Sequence, residues 1–338
     1  VCKKCPFKET YNWKKLLFME RVGVDLSIVI PCYNRGEKLH KTLSTIIPFC
    51  SDRKIEIVLS DDSDDLVSGK ILSDLGKSFP EVVLYSKNKD RLGYADNLIK
   101  GISLSCGKYL FFLLDEDSLV IDQFLDYIKG ILSNGYKVVI SDSNDDVRVK
   151  NPKIFKKIQN VEVVGELRHL SGMVVDRNLA HEAIINNNVI EAINKAPQYP
   201  QVSIGLYCAS KFNIYKYISP VYEKGFDGVT GSNWTKVGLI PKYSTLSGRA
   251  NQAESWLIMM NALANNTENN KAPFVFEIKK SLEEWLYILI EQGVVTTFDY
   301  ETSFVFYRRS AINSFKWLVS NRALGKFLRY FFLDKYIK

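Results

Sequence analysis

Lys108-Tyr109-Leu110-Phe111-Phe112-Leu113-Leu114-Asp115-Glu116-Asp117-Ser118-Leu119 sets an apolar run directly against three acids. Tyr109 to Leu114 is long enough for a buried strand, and the run stops at Asp115, Glu116 and Asp117. A buried strand that delivers carboxylates at its C-terminal end puts them where open α/β sheets bind ligands. Asp115 and Asp117, held on a turn, suit a hard divalent cation such as Mg²⁺ or Mn²⁺. Such a cation keeps some waters and takes its other oxygens from substrate phosphates. Read alone, the same residues are only a polar loop after a core strand.

The sequence upstream repeats the pattern. Leu26 to Ile30 is a second buried-strand run, followed by Pro31-Cys32-Tyr33-Asn34-Arg35. Ile55 to Leu59 is a third, ending in Ser60-Asp61-Asp62-Ser63-Asp64-Asp65. Between them, Glu37 to Ile47 carries Leu39, Leu43, Ile46 and Ile47 at helical spacing. Val82 to Tyr85 is a fourth strand, leading to Asn88 and to Leu92-Gly93-Tyr94-Ala95-Asp96-Asn97. A helix with Leu98 and Ile102 inward follows, and Cys106-Gly107 ends it before the acidic strand. Strands alternating with helices imply a parallel sheet with right-handed crossovers, every strand ending in polar residues on one edge.

These blocks resemble glycosyltransferase family 2, the inverting enzymes with a GT-A fold. The matching residues are Ser27 to Asn34, Glu56 to Ser63, then Asn88, Gly93 and Asn97, and finally Gly107-Lys108-Tyr109 with Leu114 to Asp117. Ser171-Gly172-Met173-Val174-Val175 looks like the strand that faces the acceptor sugar in such enzymes. The resemblance implies a Rossmann-like, mostly parallel sheet with helices on both faces, plus a helix-rich C-terminal region. The expected division is an N-terminal extension (1–24), a catalytic domain (25–225) and an acceptor-side helical region (226–338). The resemblance is closest to the transferases of bacterial O-antigen, capsule and wall glycans, which implies a nucleotide-sugar donor and a glycan or lipid-linked acceptor.

Breaking a sugar–phosphate bond puts negative charge on the leaving diphosphate. A divalent cation held by Asp117, with Asp115 nearby, would stabilise that charge as a Lewis acid. Pro31 and Tyr33 can supply a floor for the nucleoside, with Asn34 and Arg35 at the same strand end. Asp61 or Asp62 can accept a hydrogen bond from a pyrimidine imide. The resemblance implies a uridine-type base there, with Asp115 at the ribose and Glu116 beside it. Asp96 and Asn97 begin a helix, and either shape the nucleotide site or cap that helix. Glu37 and Lys38 read as a solvated first turn.

An inverting transferase also needs a carboxylate to take the acceptor proton. In the family this is often the Asp of a Glu-Asp pair, but the corresponding window here reads Ala196-Pro197-Gln198-Tyr199-Pro200-Gln201-Val202-Ser203. Glu166, Asp176 and Glu191 are the base candidates, with His169 and Glu182 in the same stretch.

The 338 residues and 46% hydrophobic content suit one large domain with a smaller C-terminal part. Cys2-Lys3-Lys4-Cys5 has metal-like spacing but no second pair to complete a zinc site. Scattered cysteines, no recognisable signal peptide and no run long enough to span a bilayer imply a cytoplasmic protein. The net charge of +7 is concentrated in one place. Residues 304–338 hold eight Lys or Arg against Asp334 alone, so the rest of the chain is formally neutral. Arg322, Lys326 and Arg329 fall on one helical face, and Leu324, Phe327, Leu328 and Phe331 on the other. This reads as an anchor to an anionic inner membrane face, or as a terminal helix docked on the protein. No motif calls for nucleic acid. In segment 225–248, Trp234 either stacks on a sugar or anchors packing.

Two function classes follow. One is a metal-dependent sugar transferase. The other is a non-catalytic relative that binds nucleotide sugar or glycan without turnover. Asp115-Glu116-Asp117 favours the first, and the missing Glu-Asp pair favours the second. A nucleotidyltransferase would carry a Gly-rich basic loop after the first strand, which Pro31-Cys32-Tyr33-Asn34 is not.

Overall fold

The computed structural model describes residues 23–143, 155–157, 167, 169–225 and 259. Cys2, Cys5, Glu166, Trp234, Arg322, Lys326 and Arg329 lie outside the described residues, as does the region from 226 onward apart from Met259.

Four strands form the parallel half of the sheet: β1 (Leu26–Cys32), β2 (Ile55–Asp61), β3 (Val83–Lys87) and β4 (Tyr109–Phe112). β1 pairs in parallel with both β2 and β4, and β2 pairs in parallel with β3. Helices α1 (Gly36–Cys50), α2 (Leu66–Ser78) and α3 (Tyr94–Leu104) make the crossovers. Strand parity explains their placement. Ile28 and Ile30 join Leu39, Leu43, Ile46 and Ile47 of α1 in one apolar cluster. Val29 points to the other face, against Gly101 of α3. Both faces are thus covered, so these strands read as continuous apolar runs rather than alternating ones. Each Leu or Ile so buried contributes roughly 1.5–3 kcal/mol before the ordering entropy is subtracted.

Beyond β4 the sheet changes direction. The remaining strands are β5 (Ser118–Leu119), β6 (Val138–Ser143), β7 (Phe155–Lys157), β8 (Val174–Asp176) and β9 (Ile214–Glu223). The order is β3-β2-β1-β4-β8-β6-β9-β5, with β7 on β9. β8 is antiparallel to β4 and β6, and β5 is antiparallel to β9. The sheet is therefore mixed: its first four strands run parallel, and antiparallel pairs join it at β8 and β5. α4 (Ile121–Asn134) links β5 to β6 and ends at Gly135 in the left-handed conformation.

The chain divides into two units. Among the described residues, 23–143, 155–156, 169–182 and 215–225 belong to the first, which holds the sheet. Residues 157, 167, 183–214 and 259 belong to the second. In the second unit α6 (Asn187–Lys195) packs on α7 (Pro200–Lys211), and Leu167 lies against Gly205. The stretch 177–195 holds two helices in succession, α5 (Arg177–Ile185) and α6. Asn186 breaks it, because its side chain accepts from the backbone N–H groups of Asn188 and Val189 and caps the second piece.

Candidate active site

The strand order reverses at β1: the chain moves out through β2 and β3, then returns to β4 on the other side. Such a reversal opens a crevice at the carboxyl ends of the flanking strands. The two strand ends are tied there, since Tyr33 N–H donates to Asp115 Oδ2 at 2.8 Å.

Asp115, Glu116 and Asp117 occupy a tight turn, closed by Asp117 N–H donating to Leu114 O at 3.1 Å. Asp115 and Asp117 are buried. Arg35 donates through Nη1 to Asp115 Oδ1 at 2.8 Å, and its Nη2 lies 3.1 Å from Glu116 Oε2. Asp117 Oδ2 accepts from Ser171 Oγ at 2.5 Å, and Oδ1 accepts from Gly225 N–H at 2.9 Å. Ser171 is fixed in turn by accepting from Leu114 N–H. Gly225 runs so close to the turn that a Cβ there would fall 1.6 Å from Glu116 O, so only glycine fits. Short strand β5 follows the turn and pairs with the end of β9, which brings Gly225 to this place.

Burial pushes all three carboxyls above their ordinary range. Arg35 counters that rise at Asp115 and Glu116. At Asp117 the Ser171 and Gly225 hydrogen bonds counter it, then the charges of Lys38 and Lys224. Burial, with Asp115 and Asp61 close by, pushes the Cys32 thiol far up and keeps it protonated.

Among the described residues no three His, Cys, Asp or Glu side chains converge into a preformed cation cage. The donor set nevertheless fits a hard divalent ion of the kind that takes one or two carboxylates and completes its shell with phosphate and water. Asp117 and Asp115 would hold it.

Asp61 and Asp62 are deployed differently. Asp61 accepts from Ser63 N–H and Tyr85 Oη, both at 2.8 Å, with Lys87 Nζ 3.5 Å away. Asp62 accepts from Asn88 Nδ2 at 3.0 Å, Leu92 N–H at 2.7 Å and Gly93 N–H at 2.8 Å. Asn34, at φ 53°, clasps the next loop by accepting from Asp64 and Asp65 N–H. Asn97 does not cap α3, because Gly93 is the capping residue. Its side chain instead joins Ser60 Oγ, Asn88 and Cys32 O across the strand ends. Asp96, in the first turn, is raised to about 6 by burial and by the charge of Asp62. Pro31 is buried within β1.

Of the base candidates, Asp176 lies apart from this cluster within the sheet. Asp176 pairs with Tyr109, at the start of β4, so it sits at the opposite end of the strand from Asp115. There it accepts from Lys137 Nζ at 2.6 Å and from Asn178 and Leu179 N–H at the start of α5. Glu191 is exposed on α6. Ser171, Gly225 and Lys38 acquire roles that their local sequence did not signal. So does Arg91, whose guanidinium lies 4.3 Å from the Tyr33 ring centroid.

The family profile described as glycosyl transferase family 2 matches residues 27–188. A poly(ribitol-phosphate) beta-N-acetylglucosaminyltransferase, TarP of Staphylococcus aureus, is 31% identical over 104 residues, which is 30% of this chain and 31% of that protein. The match thus spans about a third of the relative's length. The S. aureus TarS 1–349 crystal structure in complex with UDP overlays with a TM-score of 0.54 at 12% identity, covering 89% of this chain and 92% of that one. The same protein in complex with UDP-GlcNAc gives 0.50 at 12% identity, covering 87% and 92%. The fold is GT-A-like, and residues 27–188 of this chain are similar to glycosyl transferase family 2.

Proposed function

We propose that this domain transfers a sugar, with inversion, from a uridine diphosphate sugar to a surface-polymer acceptor. The observation that carries the reading is the buried turn Asp115-Glu116-Asp117 at the switch point of the sheet. N-acetylglucosamine is the sugar and a polyol-phosphate polymer the acceptor, by likeness to the poly(ribitol-phosphate) transferase.

In this reading the nucleotide lies across the ends of β1, β2 and β4. Tyr33 and Arg91 present a planar surface to the base, and Asp115 faces the ribose. A bound divalent cation would neutralise charge developing on the diphosphate. Asp117 is aimed by Ser171 and Gly225, so its carboxylate does not reorganise when ligand enters. Lys38 and Lys224 lie close enough to influence Asp117 and add positive potential at the mouth. That potential favours an anionic donor and a phosphate-bearing acceptor.

Incubating the full chain with UDP-GlcNAc, UDP-glucose, UDP-galactose and GDP-mannose, with Mn²⁺ and poly(ribitol phosphate), tests the assignment. Transfer from UDP-GlcNAc alone is expected. Transfer only from GDP-mannose, or nucleotide-sugar binding without transfer to any polyol-phosphate or glycan acceptor, rejects it.

We further place the protein at an anionic membrane surface through Arg322, Lys326 and Arg329. At about 1 kcal/mol for each basic residue, the three give roughly 3 kcal/mol, screened by salt. Among the described residues no helix is long and apolar enough to cross a membrane. Changing all three to Glu should release the protein from anionic vesicles and leave UDP binding unaltered; sedimentation that ignores both the change and the lipid charge rejects the placement.

A further inference from the structure

Arg35 immediately precedes α1 and reaches across the switch point to two acids. Its side chain is 24% exposed, against 6% for the Asp115 side chain it bonds. A partly open cation therefore rests on a buried anion. Glu116 Oε2 is 3.1 Å from Arg35 Nη2, yet makes no hydrogen bond. That contact is charge without aligned geometry. Asp117 is aimed differently: its two oxygens accept from the neutral donors Ser171 and Gly225, with the charges of Lys38 and Lys224 acting on it as well. The three carboxylates thus divide into two balanced by a guanidinium and one aimed by hydrogen bonds.

A divalent cation held by Asp115 and Asp117 would compete with the Arg35 guanidinium for Asp115, and two cations in a partly desolvated crevice repel strongly. The arginine fork also matches phosphate oxygens as well as it matches a carboxylate. We propose that Arg35 is a displaceable internal counter-ion, which balances Asp115 and Glu116 in the empty site and moves to the diphosphate when cation and nucleotide enter together. The inference rests on the metal-dependent nucleotide-sugar reading above. It has a thermodynamic consequence. Cation alone must displace Arg35 with nothing to receive it, whereas cation with diphosphate exchanges one partner for another. Metal and nucleotide must then raise each other's affinity by the same factor.

The test is a titration of the folded full chain with Mn²⁺, following free Mn²⁺ by electron paramagnetic resonance, with and without UDP. In the wild type UDP should tighten Mn²⁺ binding by at least about tenfold. Arg35→Gln should bind Mn²⁺ alone about tenfold more tightly than wild type, and the UDP effect should shrink to what the diphosphate oxygens add as metal ligands. Arg35→Lys keeps one charge but not the fork, and should fall between. Mn²⁺ binding in Arg35→Gln that is no tighter than wild type, or an undiminished UDP effect, overturns the counter-ion. If Arg35→Gln does not fold, Arg35→Lys decides by the same criterion. A wild type that binds no Mn²⁺ with or without UDP overturns the metal reading itself, whereas normal wild-type coupling with unaltered variants overturns only the role of Arg35.

Discussion

Two acidic pairs end two strands of one sheet, and they do opposite work. Asp61 and Asp62, at the end of β2, are buried among donors supplied by the protein: Ser63, Tyr85, Lys87, Asn88, Leu92 and Gly93. Asp115 and Asp117, after β4, are equally buried but crowd a third carboxylate, and burial holds all three above their normal range. The first pair ties loops together. The second keeps a charge demand that a ligand can meet. Acidic residues at a strand end therefore mark a site when they crowd one turn and are balanced by a partly exposed side chain, here Arg35, that a ligand can replace.

The sharpest way to break this contrast is Asp117→Asn. The amide is a neutral and weaker ligand for a hard cation. Transfer should fall by roughly a hundredfold or more, equivalent to about 3 kcal/mol of transition-state stabilisation, with the fold intact by circular dichroism. Wild-type turnover in the variant would move the chemistry elsewhere. Asp62→Ala should do the reverse. Leu92 N–H, Gly93 N–H and Asn88 Nδ2 lose their acceptor, so urea denaturation should show a loss of roughly 2–4 kcal/mol. Unchanged stability would mean that Asp62 is held for ligand rather than for structure.

Asp96 gives the smallest effect and a pH signature. Its pKa rises from 3.8 to about 6 in the folded protein, so folding favours the protonated acid. The carboxyl is harmless below the unfolded value and becomes destabilising as pH climbs through the folded one. Asp96 is half-buried, and solvent screening discounts the penalty to on the order of 1 kcal/mol at neutral pH. Asp96→Asn should therefore stabilise the protein above pH 7 and make no difference near pH 3.5. Equal effects at both pH values would show that neither burial nor the Asp62 charge raises this carboxyl in the folded protein.

The parallel half of the fold is readable in the chain because burial on both faces writes uninterrupted apolar runs, as at Leu26–Cys32 and Ile55–Asp61. The switch to antiparallel at β8 is not, since Val174–Asp176 looks the same in either direction and only its partner sets the sense. Asp115 and Asp117 stand out because acids follow a core strand without interruption. Ser171 and Gly225 do not, because they reach the site through pairing between distant strands. The break between α5 and α6 is not legible either, because an Asn inside a periodic run, Asn186, gives no warning that it will cap a new helix. Conversely, Pro48 inside α1 did not end it; the helix runs on to Cys50.

Calorimetric titration of the full chain with UDP, in Mn²⁺ and then in EDTA, tests the central claim most directly. The account predicts binding in Mn²⁺, its loss in EDTA and in Asp117→Asn, and at least about tenfold weaker binding of GDP, a difference of about 1.4 kcal/mol. UDP binding that is equally strong in EDTA, or equal affinity for UDP and GDP, would contradict it.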